Sequence, residues 1–284
     1  MSVSVVVPTR DRPEKLRRCL AALAGAHEVV VVDDGSRAEA AVAEVVAAAG
    51  ARLLRLEGEG PAAARNAGAR AAAGDVVCFS DDDCEPEPGW AQALAAPILA
   101  GAAGSAAGRT VTAPDASPAD RAWQAIADHL QQSASSPGSP SPGFAPTCNL
   151  ACSRALLEQL PFDESFPLAA GEDRDWAARA AARNAAPNFV ADAVVVHRPG
   201  LTASSFLRQQ YRYGKGAARF RSADTERRLG SPSFYVGLLR AGFAAGAGAG
   251  ALVVVAQLAV ATGALVERRG GPSRTGGYSK RRPN

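Results

Sequence analysis

Three short polar clusters carry the residue types for chemistry on a phosphate-bearing ligand: Pro8-Thr9-Arg10, Asp33-Asp34-Gly35-Ser36 and Asp81-Asp82-Asp83. Each directly follows an apolar run. Five carboxylates gathered in one crevice repel one another unless cations enter. Three in succession suit a hard divalent ion such as Mg²⁺ or Mn²⁺, which prefers oxygen ligands and shares itself with phosphate. An isolated acidic triplet is more often a solvated loop, so its neighbours decide the matter. Further along, Glu172 and Asp173 open a helical stretch, where acids also serve the helix dipole. His197 ends another apolar run and is one of three histidines in the chain.

The elements that must position these groups follow from hydrophobic spacing. Residues 3–7, 28–32, 52–56 and 76–79 read as short buried strands, and 12–24, 38–49 and 62–73 as helices between them. Strands alternating with helices predict an α/β fold, a mostly parallel central sheet with helices on both faces. In such a sheet the carboxyl ends of the strands line one crevice, where ligands bind. The three clusters would meet there. Beyond residue 105 the spacing predicts helices over 119–132, 154–159 and 171–183 and a strand over 190–197, with a mobile Ser/Pro/Gly-rich loop at 133–143.

Composition narrows the class. The 284 residues are 47% hydrophobic and 21% charged, ordinary for a globular protein, and the net charge of +3 is too mild to predict nucleic-acid binding. Five cysteines without close pairs do not form a disulfide framework, and Cys148 and Cys152 lack the partners of a zinc site. Residues 1–8 lack the features of a signal peptide, so the main body is expected on the cytoplasmic side. Residues 241–266 carry no charge and, as a helix, would be long enough for a bilayer core of roughly 30 Å. Gly242, Gly246 and Gly250 form a GxxxGxxxG face suited to close helix packing. Arg227, Arg228 and Arg240 precede the stretch, and Arg268, Arg269, Arg274, Lys280, Arg281 and Arg282 follow it. Both ends are expected on the cytoplasmic side, which fits a re-entrant or interfacial segment better than a single span. A helix buried in a dimer interface is the soluble alternative. The expected organisation is a nucleotide-sugar half at 1–110, an acceptor half at 111–200, helices over 201–266 and a disordered basic tail at 267–284.

The blocks VSVVVPTRDRPEKLRRCLAAL, EVVVVDDGS, GPAAARNAGARAAAGDVVCFSDDD, TCNLACSRALL, PFDESFPLAAGEDRDWAAR and VVVHRP, in this order over about residues 3 to 199, resemble family 2 glycosyltransferases of the GT-A fold. The resemblance implies sugar transfer from a nucleotide-diphosphate donor to a hydroxyl. It implies donor contacts from Pro8, Thr9 and Arg10, a base-reading carboxylate at Asp34, and Arg65 near the base and phosphates. Asp81 and Asp83 match the DxD element, with Asp83 the metal ligand, Asp81 or Asp82 nearer the ribose, and His197 completing the metal (Mn²⁺ or Mg²⁺) or phosphate site. Asp173 would be the general base of an inverting displacement, and Glu172 would position the acceptor or cap its helix. Gln209 to Gly214 looks like the QxxRW element, with Tyr213 in place of Trp, and assigns Arg212 and Tyr213 to the acceptor. A lipid-linked, cell-envelope or small-molecule acceptor at a membrane surface follows from the C-terminal stretch. The competing readings are an idle GT-A-like scaffold and a nucleotidyltransferase. Pro8 to Arg12 contains no glycine for the triphosphate loop of the latter.

Overall fold

The β-branched runs read from the sequence do form the first half of the sheet. In the computed structural model, which describes residues 2–25, 28–134, 145–166, 170–222 and 231–269, strands and helices alternate. They are β1 (Val3–Thr9), α1 (Pro13–Ala22), β2 (Glu28–Asp34), α2 (Glu39–Ala48), β3 (Arg52–Leu56), α3 (Pro61–Ala71) and β4 (Val76–Phe79). Next come β5 (Cys84–Pro86), α4 (Trp90–Leu99), β6 (Ser105–Thr112), α5 (Pro118–Ala134), β7 (Leu150–Ser153), α6 (Arg154–Gln159), α7 (Glu172–Ala181) and β8 (Asn188–His197). The chain continues as α8 (Ala203–Ser222), α9 (Pro232–Ala244) and α10 (Ala247–Arg269). Most of the expected loop at 133–143, and the basic tail beyond residue 269, lie outside the described residues.

Among the described residues the sheet has eight strands in the order β3-β2-β1-β4-β7-β6-β8-β5. Pairs β1–β2, β1–β4, β2–β3 and β6–β8 are parallel; β4–β7, β6–β7 and β5–β8 are antiparallel. Alternate side chains along a strand serve opposite faces. Val5 and Val7 pack with Leu16, Val42, Trp90 and Leu94 on one face, while Val6 joins Phe79, Leu150, Leu157 and Trp176 on the other. Gly68 lets α3 lie directly on the sheet, because a Cβ there would sit 2.3 Å from Val6 Cγ1.

A third core lies off the sheet. Ala119 and Ala122 of α5, Phe206 of α8, Leu238 of α9 and Ala249, Val253 and Ala256 of α10 bury one another. Here the structure corrects the expectation of one apolar helix over 241–266. Gly246 adopts φ +122° and separates α9 from α10. The three glycines are therefore not one helix face: a Cβ at Gly242 would meet Val253, and one at Gly250 would meet Phe243, across the corner of a hairpin. The closest helix approach lies elsewhere. A Cβ at Gly214 would stand 2.1 Å from Val260 O, and one at Gly263 2.0 Å from Tyr211 O.

Candidate active site

The carboxyl ends of β1, β2 and β4 bring Thr9, Asp34 and the Asp81–Asp83 triplet together. Asp33 and Asp34, expected to stop β2, are its last two residues. The short β5 then pairs with β8, in register Cys84↔His197, and Arg198 N donates to Asp83 O at 2.8 Å. That pairing carries His197 to the triplet: its Nε2 lies 3.4 Å from Asp83 Oδ1. Lys15 Nζ and Arg12 NH1 approach the other Asp83 oxygen at 3.4 and 3.3 Å. Burial works against ionising Asp83, but the His197 hydrogen bond and the charges of His197, Lys15 and Arg12 outweigh it, holding its carboxyl well below the usual range. Asp82 accepts from Thr9 Oγ1 at 2.8 Å and from Arg12 at 3.0 Å. Burial and the adjoining Asp83 charge nevertheless push it up to about 6.

Asp83, Cys84 and His197 offer ligand atoms within 4.8 Å of one another. Burial raises the Cys84 thiol well above its ordinary value, so it stays a neutral, poor ligand. What remains is a carboxylate oxygen and an imidazole nitrogen, with Asp81 and Asp82 beside them. That donor set fits a divalent ion shared with phosphate.

On the flank of the crevice, Asp34 accepts from Glu59 N at 2.7 Å and Gly60 N at 3.0 Å, which ties the start of α3 to β2. Each carboxylate oxygen keeps a lone pair for a further donor. Arg10 is exposed, 3.7 Å from Asp34, and Pro8 sits in register with Val32. Asp33 turns away to Arg55 at 2.7 Å and caps Ser36 N.

Arg65 is no surface arginine of α3. It is buried and joins Asp81 at 2.9 Å to Glu172 at 3.2 Å. Glu172 follows Gly171, which has φ +100°, and its carboxylate turns to Arg65 instead of capping α7. Among the described residues, Arg65 Nε and Glu172 Oε2 are buried with no hydrogen-bond partner, two orphan polar atoms at this junction. Burial raises Glu172 to about 7, the Asp173 charge adding and Arg65 opposing. Asp173 is half-buried, accepts from Arg174 N at 2.7 Å, and is likewise raised by burial against the pull of Arg174 and Arg65.

Helix α8 packs beside the start of α7. A Cβ at Gly216 would lie 2.1 Å from Ala170 O, so α8 presses on the segment leading into α7. Tyr213 points inward; its hydroxyl accepts from Trp123 Nε1 at 3.4 Å, and its pKa is raised by burial and by the nearby Asp173, Glu172 and Asp81 charges. Trp123 was not among the residues singled out from the sequence, yet its ring centroid is 4.2 Å from that of His197. Its only signal was helical spacing within α5, which reads as core. Arg212 does not join the crevice. It is exposed on α8 beside Ser204, Arg208 and Tyr211, because successive helix residues point about 100° apart.

The sheet order and the carboxylate-lined strand ends are those of a GT-A-type α/β fold. Glucosyl-3-phosphoglycerate synthase from Mycobacterium tuberculosis, solved with Mn²⁺, UDP and glucosyl-3-phosphoglycerate, shares it at TM-score 0.55 and 21% identity, over 81% of this chain and 82% of that one. S. aureus TarS 1–349 shares it at TM-score 0.54 and 18% identity, over 96% and 93%. Residues 4–160 match the profile of glycosyl transferase family 2, and the chain belongs to that family. It is 29% identical over 225 residues to the pre-mycofactocin glycosyltransferase of Mycobacterium tuberculosis, covering 76% of this chain and 47% of that protein. The chain thus spans about half the length of that relative. It is 28% identical over 227 residues to glycosyltransferase AglE of Haloferax volcanii, covering 75% and 72%.

Proposed function

We propose that the chain transfers a sugar from a nucleotide-diphosphate donor to an acceptor hydroxyl, by single displacement with inversion, at a site that uses Mn²⁺ or Mg²⁺. The observation that carries this reading is the approach of Asp83 to His197 at 3.4 Å, beside Asp81 and Asp82. Asp83 and His197 would hold the ion, which when bound would supply Lewis-acid stabilisation of the departing diphosphate. Thr9, Arg10 and Asp34 receive the nucleoside at the end of β1 that Pro8 helps fix, and Asp81 and Asp82 serve the ribose. Arg65 keeps Asp81 and Glu172 at a fixed spacing between donor and acceptor sides.

Asp173 takes the proton of the attacking hydroxyl. Its raised pKa makes it a stronger base than an exposed aspartate, and such assistance is worth about 10²–10⁴ in rate. A single carboxylate base opposite a nucleotide leaving group gives inversion, the logic also used by inverting hydrolases. Glu172 and the Tyr213 ring form the acceptor side. The apolar outer face of α10 supports membrane contact, and the cytoplasmic side of the cell membrane and a lipid-linked or cell-envelope acceptor complete this reading.

Calorimetric titration tests the reading. UDP comes first, since a structural neighbour binds it with Mn²⁺, followed by GDP and dTDP, each with and without Mn²⁺. Metal-dependent binding of one nucleotide, lost in Asp83→Ala, is the expected result. No binding of any of them by folded protein would favour an idle scaffold.

A further inference from the structure

We propose that the outer face of the α9–α10 hairpin docks on an anionic phospholipid leaflet, with α10 lying in the plane of the membrane instead of crossing it. The inference rests on the membrane placement above and specifies its chemistry. By length and composition alone, the 23-residue α10 is long and apolar enough to cross a bilayer. Its packing argues otherwise. Ala249, Val253 and Ala256 are buried against Phe206, Leu238 and Ala122. At Gly214 and Gly263 the backbones of α8 and α10 approach so closely that neither position has room for a methyl group. To span, α10 would have to abandon this core and leave Phe206 and Leu238 uncovered.

Only 28% of the apolar stretch of α10 is buried, so most of it faces outward. Val254, Val255, Leu258, Leu265 and Val266 are exposed along α10, and Val236 and Phe243 along α9. The charges around this strip are basic. Arg240 is exposed between Val236 and Phe243 at helical spacing, where a guanidinium can snorkel to headgroups. Arg268 and Arg269 end α10, and its single acid, Glu267, is neutralised by Lys215 and Arg219 of α8. Spacings of four, three and four residues put Arg208 and Arg212 on the same stripe of α8 as Lys215 and Arg219. An open groove lined by Ser204, Ser205, Arg208 and Arg212 runs along that stripe. An apolar strip framed by guanidinium groups matches acyl chains beneath anionic phosphates. A second copy on the same face would set the same arginines against one another in a symmetric contact.

Flotation of the full chain with vesicles of phosphatidylcholine, alone or mixed with phosphatidylglycerol, tests this. The protein should float with the mixed vesicles only and be released by high salt or alkaline carbonate. Val255→Gln with Leu258→Gln, both at exposed positions, should keep the melting temperature and lower vesicle affinity about tenfold or more. Arg268→Gln with Arg269→Gln should lower it about fivefold per arginine and flatten the salt dependence. Resistance to carbonate, with a C-terminal tag shielded from protease, would mean that α10 spans and would overturn the proposal while leaving the membrane placement. Absence of flotation would overturn both, and self-association that the Leu258 variant abolishes would identify a second copy as the occupant. The nucleotide titration tests the transferase reading separately from all of these outcomes.

Discussion

Two adjacent-carboxylate pairs border the crevice, and their surroundings treat them differently: the first is split, with Asp83 held down and Asp82 pushed up, while both members of the second are pushed up. Asp82-Asp83 sits among Arg12, Lys15 and His197, so one member stays firmly ionised. Glu172-Asp173 has the buried Arg65, shared with Asp81, and Arg174 beside Asp173, and burial pushes both members up. Under the proposed reaction the difference divides the work between two residues: the firmly charged Asp83 suits ion binding, and the raised Asp173 suits proton transfer.

The sharpest way to break this comparison is Asp173→Asn. It should lower kcat about 10²–10⁴-fold while nucleotide affinity with Mn²⁺ is unchanged. Equal losses in both would mean that the two pairs are not divided by role.

Glu172→Gln produces the next largest effect, read on stability. Glu172 titrates near 7 when folded against 4.5 ordinarily, so the folded chain holds this proton more tightly than the unfolded one. Its stabilising contribution is complete below pH about 4.5 and is lost as pH rises through about 7. The parent should lose stability relative to the Gln variant across that window, by at most on the order of 3 kcal/mol. Denaturant melts at several pH values would measure it; parallel profiles would remove the second pair's special character.

The smallest effect sharpens the comparison from a distance. Gly263→Ala should force α10 from α8 and destabilise the chain by about 1–3 kcal/mol. Because α8 carries Tyr213 to the second pair, the Glu172-linked pH step should shrink, while Mn²⁺-dependent nucleotide binding at the first pair holds. Melts of this variant over the same pH series provide the check.

Much of this was legible in the sequence, and the gaps have physical causes. Strands such as β3 and β4 were readable because leucine and β-branched runs ended in turn residues. The start of β6, Ser105-Ala106-Ala107-Gly108, carries no large apolar side chain to mark a strand, and at Gly108 a Cβ would meet Ala193 O and the Asn149 amide. The break at Gly246 hid in an Ala/Gly tract that suits either a helix or a corner. At the site, the types and strand-end positions of Asp34, Asp81, Asp83 and His197 were visible. The Arg65–Glu172 contact was not, because no local spacing encodes a pairing between α3 and α7. The step of about 100° between helix neighbours, itself readable from sequence, is what separates Tyr213 from Arg212.

The three-residue strand β5 has a consequence for how this site tolerates change. The Cys84↔His197 register and the Arg198 N–H to Asp83 O bond join the two candidate ion ligands through main chain alone. Their separation is therefore a property of the clasp, owned by no side chain within it. Inserting or deleting one residue between Asp83 and Pro86 would misalign both ligands at once.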